Sequence, residues 1–351
     1  MKRRTFLATL PPLATATSFA AAPAEKIKIV QFGTKHPHAS GKLQAIRSLP
    51  ELYDLQGVVE PDAAQWERVK RQRAYKDCPR LTEQQAFNLP GLRAAAVETH
   101  VTALVPTAMR CLNAGLSIHL DKPAGESLTD CQEMHALATR KDLTIQMGYM
   151  LRYHPAFEFL YSVLDKGWLG ELTEVSGMMG KFMGDAGRAE LAQFEGGGMF
   201  ELACHLIDQV VTVLGKPSKV TPFLRRSFPD KDSFADNQLA VLEYPKALAT
   251  VRCNHIDKMG GPRRMFSVTG TEGTIVLEPL ESGQVRLGLS KAQGNFNKGF
   301  QDLSFPRKGG RYDGEFIDLA KVLRGEKKLH WDAEHDLATH EAVLRASGML
   351  K

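Results

Sequence analysis

Glu201, His205 and Asp208 follow a run of three glycines, Gly196-Gly197-Gly198, at spacings of four and three residues. On one helix those intervals put a carboxylate, an imidazole and a second carboxylate on a single stripe, with Leu202, Leu206, Val210 and Val213 opposite. Such a stripe is either the solvated face of an amphipathic helix or a site that binds a ligand and takes a proton from it. The glycines favour the site, because they let peptide N–H groups approach whatever sits at the helix start. Gly215 and Pro217 end the helix.

A second set of candidates closes short apolar runs in the first half of the chain. Residues 26–32 read as a strand broken at Gly33. Residues 55–59 end at Glu60, residues 94–98 at Thr99, and residues 117–120 at Asp121-Lys122-Pro123. Helical stretches separate these runs, so they form βαβ units and a parallel sheet, whose ligand sits off the carboxyl ends of the strands. Gly33, Glu60, Thr99 and Lys122 therefore share one sheet edge. Pro123 keeps Lys122 out of helical conformation and fixes its direction.

Past residue 149 the rhythm changes. Residues 149–167 read as mostly helical and begin with Arg152, Tyr153 and His154. A strand at 170–180 leads to a polar loop at 182–195 and then to the Glu201 helix. Strands at 238–244, 247–254, 264–269, 274–277 and 285–289, joined by short turns, describe an antiparallel sheet, and helices at 314–323 and 336–347 close the chain. The organisation is α/β: an N-terminal segment 1–24, a parallel-sheet domain at 25–148, and an α+β domain at 149–351.

Composition supports two cored domains, with 351 residues of which 43% are hydrophobic and 24% charged. Lys2, Arg3 and Arg4 supply three of the formal +5 charge, leaving +2 for the remainder. A chain so nearly balanced has no electrostatic case for nucleic acid or an anionic membrane surface. Residues 1–24 read as an export signal, with Arg3-Arg4-Thr5-Phe6-Leu7 similar to the twin-arginine type and small residues suited to cleavage. The apolar run is too short, and too interrupted by Pro11 and Pro12, for a lasting membrane anchor. The five cysteines are scattered without C-x-x-C spacing, which describes neither a disulfide framework nor a zinc site.

Asp121-Lys122-Pro123, the stretch Gly148 to Pro155, the turn Gly270-Thr271-Glu272-Gly273 and the Gly-Gly-Gly-x-x-Glu-x-x-x-His-x-x-Asp run together resemble the glucose-fructose oxidoreductase / inositol dehydrogenase family. The resemblance implies a nicotinamide-binding Rossmann domain followed by a domain with a large, mostly antiparallel open sheet, which makes a dimer or tetramer contact. It also implies a catalytic group of Lys122, Glu201 and His205. His205 is then the base that takes a hydroxyl proton while hydride leaves for the cofactor, and Lys122 stabilises the oxyanion and lowers the imidazole pKa. Glu201, where the family has Asp, orients His205 or holds a substrate hydroxyl. Arg152, Tyr153, His154 and Asp208 are the expected substrate contacts.

The chain departs from the family where Gly-x-Gly-x-x-Gly is expected. Gly33-Thr34-Lys35-His36-Pro37-His38 keeps only the first glycine, so Lys35, His36 and His38 either answer the phosphates or are plain loop residues. No metal is expected there, because His36 and His38 have no third ligand of matching spacing. Glu60 at the second strand end suits ribose hydroxyls and favours NAD over NADP, bound tightly enough to survive export. The substrate expected is a sugar, cyclitol or related polyol. Two alternatives use the same residues: a glycoside hydrolase or lyase that oxidises its sugar transiently and recycles the cofactor, and a non-catalytic binding protein on the same fold.

Overall fold

The computed structural model describes residues 25–351, so the export-signal reading of residues 1–24 lies outside them. In the first domain, strands β1 (Ile27–Phe32), β2 (Tyr53–Val59), β3 (Arg80–Leu81), β4 (Leu92–Val97), β5 (Ser117–Leu120) and β6 (Ile145–Met147) form one parallel sheet in the order β3-β2-β1-β4-β5-β6. Helices α1 (Ala39–Arg47), α2 (Ala63–Val69), α3 (Glu83–Phe87), α4 (Val101–Asn113) and α5 (Leu128–Arg140) connect them. The run Ala94-Ala95-Ala96-Val97 in β4 is fully buried, as a strand covered on both faces must be. The sheet reverses direction of travel between β1 and β4, and that crevice is where a doubly wound fold holds its ligand.

A 3₁₀ turn at Met150–Tyr153 leads into the second domain. Helices α6 (Pro155–Asp165), α7 (Asp185–Leu191), α8 (Gly197–Glu201) and α9 (Cys204–Leu214) pack against an eight-stranded sheet. Its strands are β7 (Leu172–Gly180), β8 (Lys219–Arg225), β9 (Asn237–Glu243), β10 (Leu248–Asn254), β11 (Met265–Gly270), β12 (Gly273–Leu277), β13 (Gln284–Leu289) and β14 (Gly299–Ser304). They lie in the order β14-β13-β12-β11-β7-β10-β9-β8, antiparallel except where β7 pairs with β10. Alternate residues of β9 and β10 point inward, Ala240, Leu242, Ala249 and Val251 all being fully buried. The opposite face carries Phe223, Leu248 and Phe300, 46%, 54% and 65% exposed.

Three details correct the sequence reading. The polar stretch 182–195 contains α7, pinned because Arg188 donates to Asp232 (2.8 and 2.9 Å) and to Asp236 (2.9 Å). The helix bearing Glu201 and His205 is two helices, broken at Leu202-Ala203, where the Ala203 amide reaches back five residues to the Gly198 carbonyl. The last helices, α10 (Asp313–Leu323) and α11 (Ala333–Ala346), reach back to the first domain, α11 packing between α5 and the α8, α9 and β8 side of the second domain. α10 lies on α1: Glu315 pairs with Lys42, both fully buried, Tyr53 donates to the Phe316 carbonyl at 2.6 Å, and the Phe316 ring stacks on His119. The two sheets are thus tied together by the end of the chain. Among the described residues no helix is long and apolar enough to cross a membrane.

Candidate active site

Lys122 stands just past β5, beside a cis Lys122–Pro123 peptide, and is 1% exposed. Its ammonium donates to the Glu201 carbonyl at 2.6 Å and to the Glu201 carboxylate at 3.1 Å, joining the Rossmann sheet edge to the end of α8. Burial opposes charge on both groups, yet their mutual attraction wins: Lys122 is held above its ordinary value and Glu201 is drawn down to about 2. The pair is ionised at neutral pH.

His205 lies in the first turn of α9, 3% exposed, with Nδ1 buried and without a hydrogen-bond partner. Burial first, then the Lys122 charge, pushes its pKa well below the ordinary value. The imidazole is therefore neutral and can accept a proton. The Tyr149 ring meets it edge-on at 6.0 Å between centroids, and the His38 ring is 6.2 Å away. Glu201, whose carboxylate is taken by Lys122, is the counter-ion of the lysine rather than the orienter of His205.

The Gly33–His38 loop is wired inward. Gly33 has φ +86, and a Cβ there would come within 2.8 Å of the Thr99 backbone, so only glycine lets β1 end so close to β4. Glu60 accepts from the Thr34 amide (3.0 Å) and hydroxyl (2.7 Å). His36 and His38 turn onto Asp121: Nδ1 of His36 is 3.2 Å, and Nδ1 of His38 3.1 Å, from its oxygens. His36 Nε2 meets the Lys122 carbonyl at 3.1 Å. The two histidines are thus loop anchors, not phosphate ligands. Burial holds the His38 imidazole down at about 4 despite Asp121.

The expected substrate contacts behave differently. Arg152 and Asp208, 1% and 0% exposed, are each other's partners at 2.6 Å, and Arg152 also donates to Asp336 at 2.7 Å. The break between α8 and α9 turns Asp208 away from the stripe that the spacing suggests. His154 is the N-cap of α6, accepting from the Ala156 amide at 3.2 Å. Tyr153 hydrogen-bonds Asp318 at 3.2 Å. These four residues build the scaffold behind the site. The three glycines also have a packing role: a Cβ on Gly198 would lie 2.4 Å from His255 Cε1, and one on Gly196 2.6 Å from Met349 Sδ.

Sequence reasoning missed several residues here. Tyr312 packs 5.6 Å from His38 and 4.5 Å from the Lys42 ammonium, and Arg311 holds Glu281 through two 2.8 Å bonds while its charge bears on His205. Both come from the loop between β14 and α10, more than a hundred residues beyond His205, with no motif to mark them. Asp62 is a third, pairing with Lys35 at 2.8 Å at the mouth of the nucleotide crevice.

That crevice, about 750 Å³, opens at the carboxyl ends of β1, β2 and β4 and is lined by Gly33, Lys35, Glu60, Asp62, Thr99 and Arg110 among others. Its position, its size and the carboxylate at the end of β2 fit the nucleoside end of a dinucleotide. The phosphate end is built differently from a glycine-rich loop. The Thr34, His36, His38 and Ala39 amides already bond to protein acceptors, and Pro37 has no N–H. Lys35, 44% exposed at its side chain, is the loop cation left to face a phosphate.

The comparisons agree with this architecture. Residues 27–149 match the family described as oxidoreductase family, NAD-binding Rossmann fold, and residues 157–276 match the GFO/IDH/MocA C-terminal domain. The chain belongs to the GFO/IDH/MocA oxidoreductase family and carries an NAD-binding Rossmann domain. It is 27% identical over 203 residues to the uncharacterized oxidoreductase YhhX of Escherichia coli, covering 58% of each chain. With the trans-1,2-dihydrobenzene-1,2-diol dehydrogenase of Bos taurus it shares 29% over 187 residues, 52% of this chain and 54% of that one. The chain thus spans a little over half the length of the curated relatives it matches. In fold it is similar to a levoglucosan dehydrogenase solved with NADH and levoglucosan, with TM-score 0.78, 15% identity, and coverage of 92% and 98%. It is also similar to an Agrobacterium radiobacter oxidoreductase solved with NAD+, L-tartaric acid and magnesium, with TM-score 0.76, 17% identity, and coverage of 92% and 96%.

Proposed function

We propose that the protein is an exported, NAD-dependent oxidoreductase acting on a hydroxyl carbon of a sugar, cyclitol or related polyol. The observation that carries this is the neutral, buried His205 beside the ionised Lys122–Glu201 pair, at the edge of the sheet whose crevice suits the dinucleotide. The cofactor, when bound, accepts hydride from the substrate carbon. His205 takes the hydroxyl proton, and the Lys122 ammonium stabilises the negative charge that develops on that oxygen. Glu201 keeps the lysine charged and aimed. Burial of Lys122 and His205 keeps water from competing for these contacts.

The names of the dehydrogenases above and the sugar and hydroxy acid bound in the two structures support a small polyhydroxylated substrate. The arginine pair ahead of Thr5-Phe6-Leu7 supports export in the folded state, with the nucleotide carried inside. A homo-oligomer through the outer face of the second sheet is supported by exposed Phe223, Leu248 and Phe300.

The deciding experiment follows nucleotide absorbance and products together over a panel of polyols and aryl glycosides, with the His205→Ala variant alongside. NADH formation matched to an oxidised product, lowered by about 10²- to 10⁴-fold in the variant, is the expected result. Aryl glycoside cleavage without NADH would replace it by the hydrolytic reading. A variant within about tenfold of wild type would remove His205 as the base. Nucleotide released by acid from freshly purified protein reports retention, and a nucleotide-free preparation would defeat transport in the bound form.

A further inference from the structure

His36, His38 and Asp121 bring two imidazoles and a carboxylate together from places 83 residues apart, with donor atoms all within 4.8 Å of one another. Sequence spacing gave the two histidines no third partner, and the end of β5 supplies it. Each imidazole Nδ1 is 3.1–3.2 Å from an Asp121 oxygen. Two atoms that each lie about 2.1 Å from one ion are about 3.0 to 3.4 Å apart at octahedral to tetrahedral angles, so these separations match the edges of a coordination polyhedron.

The proton arrangement points the same way. The Lys122 carbonyl can only accept, so His36 Nε2 carries the hydrogen, leaving Nδ1 with its lone pair toward Asp121. A metal-bound histidine is typically held like this, its other nitrogen donating to a backbone carbonyl. That lone pair also meets the His38 amide at 3.3 Å, so the loop backbone holds the ring in this orientation. The carboxyl of Glu98 faces the same point. It is fully buried, 3.8 Å from His36 Nδ1, and neither of its oxygens has a hydrogen-bond partner. An ion held by Asp121 would give these orphaned oxygens a partner.

We propose that His36, His38 and Asp121 bind a first-row divalent metal ion of the zinc or ferrous class, with Glu98 as the second carboxylate of the site. Three protein donors of nitrogen and oxygen type suit these ions and leave a further position for solvent or a substrate oxygen. The ion ties the Gly33–His38 loop to the residue preceding Lys122, doing with coordination what the missing glycines do not do with backbone. His38, whose ring is 6.2 Å from that of His205, is the ligand nearest the catalytic base. The site does not depend on the reaction proposed above, because its test reads metal rather than turnover.

The experiment is elemental analysis of full-length protein purified without metal-affinity steps, followed by chelator stripping and titration with Zn²⁺ and, anaerobically, Co²⁺. About one equivalent of metal per chain, and visible cobalt d–d bands that disappear in His38→Ala and Asp121→Asn, are expected. Far-UV circular dichroism of the variants separates loss of ligands from loss of fold. Wild-type protein that carries no stoichiometric metal and shows no cobalt band would overturn the proposal without recourse to any variant. So would ¹⁵N-histidine spectra of the wild type at neutral pH showing both His36 nitrogens protonated.

Discussion

The loop Gly33–His38 and the segment Gly196–His205 both lead into helices, and both converge on Lys122 from opposite sides. The first holds the residue by its backbone, through His36 on the carbonyl; the second holds it by its ammonium, through Glu201. The first has almost no glycine where a phosphate-binding loop would want it, and the second has three where a packed helix start needs them. In both, protein acceptors take amides that a ligand could otherwise use. In the loop, side chains and carbonyls of the protein take them. In the glycine run, His255, Met349 and the Ala235 carbonyl fill the space where side chains would stand, and the Met199 amide goes to Gln238 at 2.7 Å. Glycine content therefore reports how closely backbone is approached, not what approaches it.

Replacing Lys122 by Ala breaks both halves of this arrangement at once. It leaves Glu201 without its cation and removes the oxyanion contact, so kcat should fall about 10²- to 10³-fold, measured by NADH formation with an identified substrate. Acid should loosen the glycine run. His255 behind it is held down at about 4, chiefly by burial, against 6.5 in the unfolded chain. As pH falls below 6.5 the unfolded chain binds a proton that the native histidine refuses, so stability drops until about pH 4 and this group then contributes no further change. Calorimetric melting temperatures across that window give the slope in wild type and in a His255→Gln variant, and identical slopes would mean the imidazole is not so buried.

Gly198→Ala separates the segments. Its Cβ would sit 2.4 Å from the His255 ring, so a loss of about 1–3 kcal/mol in denaturant melts is expected, with NAD affinity retained. Lys35→Gln is the complement and the smallest effect. The side chain is half exposed, so melts should be unchanged while the NAD Kd rises about two- to fivefold at low salt and less at high salt, by calorimetric titration. An equal rise at every ionic strength would show that Lys35 does not face the phosphates.

Much of the frame was readable because buried strands announce themselves. The apolar runs ending at Gly33, Glu60, Thr99 and Lys122 form one sheet edge as their alternation with helices requires. β8 escaped because Pro222 interrupts it, which an edge strand tolerates and a sequence pattern does not reveal. Lys122, Glu201 and His205 were legible as a group. Arg152, His154 and Asp208 looked like substrate contacts because their types suit both chemistry and scaffolding, and only burial tells the two apart. Asp208 misleads most: its position on the Glu201 stripe holds for one continuous helix and fails at the Leu202-Ala203 break. Asp121 as the partner of both histidines, and Tyr312 and Arg311 over the site, depend on contacts across long separations that no local spacing encodes.

The Lys42–Glu315 pair bears on how this protein can be taken apart. A fragment ending after β14 would keep every strand of both sheets, yet would lose α10 and strand a fully buried ammonium on α1. Breaking a buried pair in that way costs about 3–5 kcal/mol, a large share of what holds a domain of this size together. Chimaeras that exchange substrate domains between relatives therefore have to take their first helix and their penultimate helix from the same parent, although more than two hundred and fifty residues lie between them. The unit of inheritance is a pair of distant segments, not either half of the chain.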